Sequence, residues 1–141
     1  MYAEFEVHRT MIRDRVRTEA FRRAIESVVR PGDVVLDVGA GSGILSLFAA
    51  RAGAARVFAV ERTTIAVLAQ VLAAANGAAD IVHVIQGDVN DVELPGRVDV
   101  IGGGGLVLDR IMQRFGFGEV LVSEHDILDG IAWSLARQSG R

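Results

Sequence analysis

Apolar residues recur at three- and four-residue spacings over residues 4–29, where Ile12, Val16, Phe21, Ile25, Val28 and Val29 form one stripe. Arginines and glutamates occupy the remaining positions. The pattern predicts a helical segment, which Pro31-Gly32 stops. The period then changes. Val34-Val35-Leu36-Asp37-Val38 is a short, nearly unbroken apolar run, as expected of a parallel strand buried on both faces. A glycine turn, Gly39 to Gly43, leads into a helix from Ile44 to Arg51 that Gly53 ends. Val57 to Val60 reads as a second strand with Glu61 at its carboxyl end. Thr63 or Thr64 can cap a helix running to Ala75, with Asn76-Gly77 as its stop.

Strands are predicted next at Ile81 to Gln86 and Val98 to Ile101, before four glycines at 102–105 interrupt the chain. A short helix at about 106–115, a fifth strand from Glu119 to Ser123 and a last helix from Asp126 to Gln138 complete the reading. Strands alternating with helices imply parallel pairing through right-handed crossovers. The expected fold is α/β: a Rossmann-like, mostly parallel sheet of about five strands with helices on both faces, preceded by the N-terminal helical segment. At 141 residues the chain is read as a single domain, with residues 1–30 as the helical segment and 31–141 as the core.

Composition narrows the chemistry. All 15 basic residues are arginine, and there is neither lysine nor cysteine. That excludes a lysine Schiff base, a P-loop lysine, a thiolate nucleophile and a cysteine zinc site. The three histidines lie far apart and form no metal-binding pair, so no metal site is expected. A net charge of -3 argues against nucleic acid held by phosphate contacts. The longest apolar stretch, Ile65 to Ala75, falls short of the roughly 20 residues a membrane span needs. Glu4 and Glu6 stand where a signal peptide would be basic and then apolar, so a cytoplasmic protein is expected. The near-uniform apolarity of residues 65–75 suggests either deep burial or a partner surface, which leaves room for an oligomer.

Ligands of such sheets bind outside the carboxyl ends of the strands. Three features fall there. In the glycine turn, Gly39 and Gly41 let a ligand approach the backbone. A dinucleotide fingerprint would need a third glycine at position 44, which is Ile. The turn therefore fits a nucleoside without a pyrophosphate, and a nicotinamide-dependent oxidoreductase is disfavoured. Glu61 can accept hydrogen bonds from both ribose hydroxyls. Gly87-Asp88-Val89-Asn90 can present backbone and side-chain amides to an adenine edge.

With these residues in hand, the chain resembles the class I S-adenosyl-L-methionine-dependent methyltransferases, and more narrowly the N-terminal, cofactor-binding part of the protein arginine methyltransferase family. The stretch from Val34 to Glu61, VVLDVGAGSGILSLFAARAGAARVFAVE, is similar to that family's first cofactor motifs. The lead-in from Tyr2 to Phe21, YAEFEVHRTMIRDRVRTEAF, resembles the preceding helices, which in the family fold over the cofactor. The resemblance implies roles. Arg17 would bind the methionine carboxylate and Met11 would pack beside the cofactor. Gly39 would admit the methionine part, with Asp37 holding that region. Glu61 would bind ribose, and Val89 and Asn90 would lie at the adenine, although the family often has Glu where this chain has Asn90.

The acceptor side departs further. The family carries Ser-Glu after the fourth strand, as the first of two carboxylates that hold the substrate guanidinium. Here Gly102 to Gly105 fill that place. A Ser-Glu pair recurs at Ser123-Glu124. It reads either as the displaced motif, with Glu124 as the catalytic carboxylate and Asp126 or Asp129 as the second acid, or as the end of strand five. The resemblance thus implies methyl transfer to a protein or peptide arginine. The alternative is a truncated or degenerate cofactor-binding module that acts through a partner.

Overall fold

A computed structural model describes residues 2–94, 96–103, 121–122 and 132–133. The N-terminal stripe forms two helices rather than one: α1 (Tyr2–Arg13) and α2 (Arg15–Val28). Asp14 makes the break. Its backbone leaves the helical region (φ -69°, ψ 89°), and its side chain accepts the Arg17 amide at 3.1 Å. The Thr18 hydroxyl donates back to the carbonyls of Met11 and Ile12, at 3.4 and 3.3 Å, and closes the end of α1. The apolar stripe runs straight across this joint, so periodicity alone does not reveal it. Replacing Asp14 with Ala is expected to destabilise the chain by about 1 kcal/mol, and Asp14→Ser to restore most of that. Urea denaturation of the three proteins checks it.

Beyond the helices come β1 (Val34–Val38), α3 (Ile44–Arg51), β2 (Arg56–Glu61), α4 (Ala66–Ala75), β3 (Val82–Gln86) and β4 (Val100–Gly103). The sheet order is β3-β2-β1-β4, parallel throughout. Leu36 pairs with Phe58 on one side and Ile101 on the other, so β1 is central and its hydrophobes are covered from all directions. On one face Val35, Val57, Ala59 and Val100 pack with Ile25 of α2, Leu47 and Phe48 of α3 and Ala73 of α4. On the other face Leu36, Phe58, Val60 and Ile101 pack with Val89, Val92 and Val98. The helix expected at 106–115 lies outside the described residues.

Three expectations are corrected. The parallel sheet has four strands among the described residues, not five: Leu121–Val122 (β5) pairs antiparallel with Ala132–Trp133 (β6). The last helix expected over 126–138 is therefore strand at 132–133, where cross-strand pairing overrides a helical spacing of apolar residues. The fourth strand begins and ends later than 98–101. Asp99 precedes it, exchanging its amide and a carboxylate oxygen with the backbone of Val34, and the strand then runs into Gly102 and Gly103 opposite Asp37 and Val38. Backbone pairing needs no side chain, so glycines that read as an interruption extend the ladder.

Thr63 and Thr64 precede α4 without capping it. Ile65 holds the cap position and makes no side-chain cap. Only one side of α4 is buried, through Ala66, Ala69 and Ala73, while Val67 and Val71 are 56% and 58% exposed. No helix among the described residues is long and apolar enough to cross a membrane.

Candidate functional site

The carboxyl ends of β1, β2 and β3 lie side by side, and the glycine turn after β1 folds over them. The Gly39 and Ala40 amides donate to the Val60 carbonyl at 2.8 and 3.1 Å, which ties the turn to the end of β2. The Gly41 amide donates to Glu61 Oε2 at 2.8 Å. Glu61 Oε1 accepts the Thr63 amide, also at 2.8 Å. Glu61 is only 8% exposed. Burial pushes its carboxyl up, but the Thr63 and Gly41 amides, the Thr63 hydroxyl and the nearby His8 outweigh that and hold it below the ordinary glutamate value.

Two cavities meet at Gly39. The larger, about 490 Å³, is lined by Val38, Val60, Glu61, Arg62, Thr63 and Gly87 to Asn90. That volume falls within the roughly 300–1,000 Å³ typical of small-molecule sites. The smaller, about 110 Å³, lies between α1, α2 and the glycine turn, with Met11, Arg17, Phe21 and Gly41 on its wall. Gly39 has φ +69°, and a Cβ placed on it would meet nothing within 4 Å, so the backbone there is open to both cavities.

The candidate residues divide accordingly. Met11, Arg17, Gly39 and Gly41 line the smaller cavity, with the Arg17 guanidinium 5.5 Å from the centre of the Phe21 ring. Arg22 and Arg23 pair with Glu19 along α2, and Arg22 also pairs with Glu26. Glu61, Val89 and Asn90 line the larger cavity, with Val89 buried and Asn90 exposed. The Asn90 amide and side chain both donate to Asp88 Oδ1. Glu124 lies outside the described residues.

Asp37 is on the wall of neither cavity. It is 3% exposed, behind the turn, and accepts the Ser46 hydroxyl at 2.6 Å. Burial raises its carboxyl to about 6, against the opposing pull of Ser46. A carboxyl whose folded value lies above its unfolded one binds its proton more tightly when folded. Its stabilising contribution is complete below about pH 4 and is lost as pH rises through about 6. The Asp37→Asn protein should therefore gain stability relative to the parent by about 2–3 kcal/mol between pH 4 and pH 7. Denaturation curves at several pH values measure this, and a constant difference would show that Asp37 does not titrate in that window.

Two residues of the site were not visible as such in the sequence. A Cβ on Gly41 would come within 2.4 Å of His8 Cε1, so the imidazole of α1 rests directly on the glycine turn. Thr63, read as a helix cap, donates its amide to Glu61 instead. The first contact joins residues brought together by folding, whereas the second is local, closing between residues two apart in sequence.

A family model described as ribosomal protein L11 methyltransferase (PrmA) matches residues 17–103. The chain belongs to the S-adenosylmethionine-dependent methyltransferases. Within that family it is similar to the N-terminal part of the protein arginine methyltransferases. It is 52% identical over 103 residues to the probable protein arginine N-methyltransferase 6 of Arabidopsis thaliana, covering 71% of this chain and 23% of that protein. The PRMT1 enzyme–prozyme heterotetrameric complex of Trypanosoma brucei, solved with AdoHcy, is 41% identical, with a TM-score of 0.67 over 71% of this chain and 32% of that one. Protein arginine methyltransferase 10 of Arabidopsis thaliana is 46% identical, with a TM-score of 0.63 over 67% of this chain and 28% of that one. The methyltransferase chain thus spans about a quarter of the length of the curated relatives it matches.

Proposed function

We propose that this chain binds S-adenosyl-L-methionine across Gly39 and serves methyl transfer to an arginine side chain of a protein or peptide. One observation carries the reading: a buried, ionised Glu61 and the guanidinium-bearing Arg17 stand on two cavities that meet at a glycine with open space over its backbone. The donor set fits the cofactor. A vicinal diol suits a carboxylate acceptor, and an α-carboxylate suits a guanidinium fork. Bound there, the cofactor supplies an electrophilic methyl group on a sulfonium.

The chain's own residues do the rest. Glu61 accepts the ribose hydroxyls, Val89 covers one side of the adenine and Asn90 meets its edge. Arg17 grips the methionine carboxylate. Met11 and Phe21, carried on α1 and α2, exclude water from the methionine end. Transfer is then a matter of holding an acceptor nitrogen in line with the methyl carbon. For the acceptor side Glu124 is the candidate carboxylate, because Gly102 and Gly103 end β4 without one. The identity to arginine methyltransferases supports an arginine acceptor, and with it a protein or peptide partner.

The experiment is transfer of labelled methyl from S-adenosylmethionine to an arginine-containing peptide and to the same peptide with lysine in place of arginine. Label recovered as methylarginine in the first alone is the expected result. Cofactor binding without transfer would overturn the acceptor assignment, and absence of binding would overturn the whole reading.

A further inference from the structure

The loop after β3 is tied down at both ends. The Gly87 amide donates to the Glu61 carbonyl at 3.0 Å, and the Asp88 carbonyl accepts the Asp91 and Val92 amides at 2.9 and 3.2 Å. Val89 and Val92 are buried in the core beneath it. From this anchored position one oxygen of the Asp88 side chain, Oδ1, accepts twice from Asn90: the backbone amide at 2.9 Å and the side-chain amide at 2.6 Å. Asp88 is half-buried, Asn90 is exposed, and both line the larger cavity.

A carboxamide is nearly symmetric in shape, but its two ends have opposite polarity: the NH₂ only donates and the oxygen only accepts. An unconstrained asparagine can therefore turn either end to a ligand. A carboxylate oxygen only accepts, so the end of the Asn90 carboxamide that lies 2.6 Å from Asp88 is its nitrogen. We propose that Asp88 is a positioning residue that fixes this polarity, so that Asn90 meets the base with its oxygen and the site selects a 6-amino purine over a 6-oxo one. This rests on the cofactor's adenine occupying the larger cavity against Asn90. The exocyclic amine of adenine donates to the Asn90 oxygen, whereas a 6-oxo base sets oxygen against oxygen. A site built to hydrogen-bond a ligand's amine rejects the analogue without it, because its own acceptor is left unpaired. Asn90 alone carries no such selectivity, since a carboxamide that turns over donates to the oxo group.

The test compares calorimetric affinities for S-adenosylhomocysteine and its 6-oxo analogue, S-inosylhomocysteine, in the parent, Asp88→Ala and Asp88→Asn proteins. In Asp88→Ala the preference for the amino ligand should narrow about 5- to 20-fold, with the oxo analogue binding more tightly than it does to the parent. Distortion of the loop alone would weaken both ligands together and leave their ratio unchanged. Asp88→Asn keeps an oxygen to accept both Asn90 donors and should keep the parent's preference. Without ligand, the Asn90 side-chain amide resonances should move in Asp88→Ala and stay near their parent positions in Asp88→Asn. An unchanged ratio in Asp88→Ala would overturn the proposal, as would a ratio that narrows equally in Asp88→Asn. If Asp88→Ala does not fold, Asp88→Ser carries the same comparison, because a hydroxyl both donates and accepts and so leaves the polarity open. A parent protein that binds neither ligand overturns the cofactor reading and the proposal with it, whereas binding of S-adenosylhomocysteine with an unmoved ratio overturns the proposal alone.

Discussion

Glu61→Gln should lower affinity for S-adenosylhomocysteine by roughly 1,000-fold, about 4 kcal/mol, making it the most damaging conservative change in the site. Two effects add. Hydrogen bonds to a charged acceptor contribute about 1.5–3 kcal/mol each, and the ribose reading assigns Glu61 two of them. The carboxamide also puts an NH₂ where one oxygen now accepts a backbone amide, either that of Gly41 or that of Thr63. Donor then faces donor, and the turn that admits the ligand shifts. Calorimetric titration measures the loss. A change of less than about tenfold would mean that Glu61 shapes the turn without touching the ligand.

The second large effect is at Gly41. Valine there meets two obstacles. Its backbone has φ +57°, a region costing a residue with a Cβ roughly 1–2 kcal/mol. The new Cβ would also lie 2.4 Å from His8 Cε1, so the imidazole must leave its place on the turn. Strain of that kind in a packed region costs about 1–3 kcal/mol. The expected destabilisation is therefore about 2–5 kcal/mol in all. The two parts separate by experiment. Adding His8→Ala should recover the steric share in thermal denaturation and leave the backbone share, whereas complete independence of the two substitutions would show that the imidazole does not pack on Gly41.

Much of this architecture was legible in the sequence, for identifiable reasons. β1, the glycine turn, α3 and β2 lie within a residue of where the pattern puts them, because Pro31, Gly39, Gly43 and Gly53 punctuate each change of period. The strand ends that carry Glu61 and Val89–Asn90 followed from the same alternation. What escaped depends on geometry that no local pattern encodes. The Asp14 break hides inside a continuous apolar stripe. The packing of His8 on Gly41 joins a helix to a turn on the far side of a strand. The glycines of β4 contribute backbone alone, so an apolar-run criterion ends the strand two residues early. Leu121–Val122 has strand character in sequence, but its partner, Ala132–Trp133, lies in a segment whose spacing looks helical.

The proposed binding mode places one elongated ligand in both cavities, crossing Gly39. Amide and arginine side-chain NMR during titration with S-adenosylhomocysteine tests it most directly. A single saturating set of shifts that includes Met11, Arg17, Gly39, Gly41, Glu61, Val89 and Asn90, with one dissociation constant, is expected. Shifts confined to one side of Gly39, or no saturable shifts at all, would contradict it.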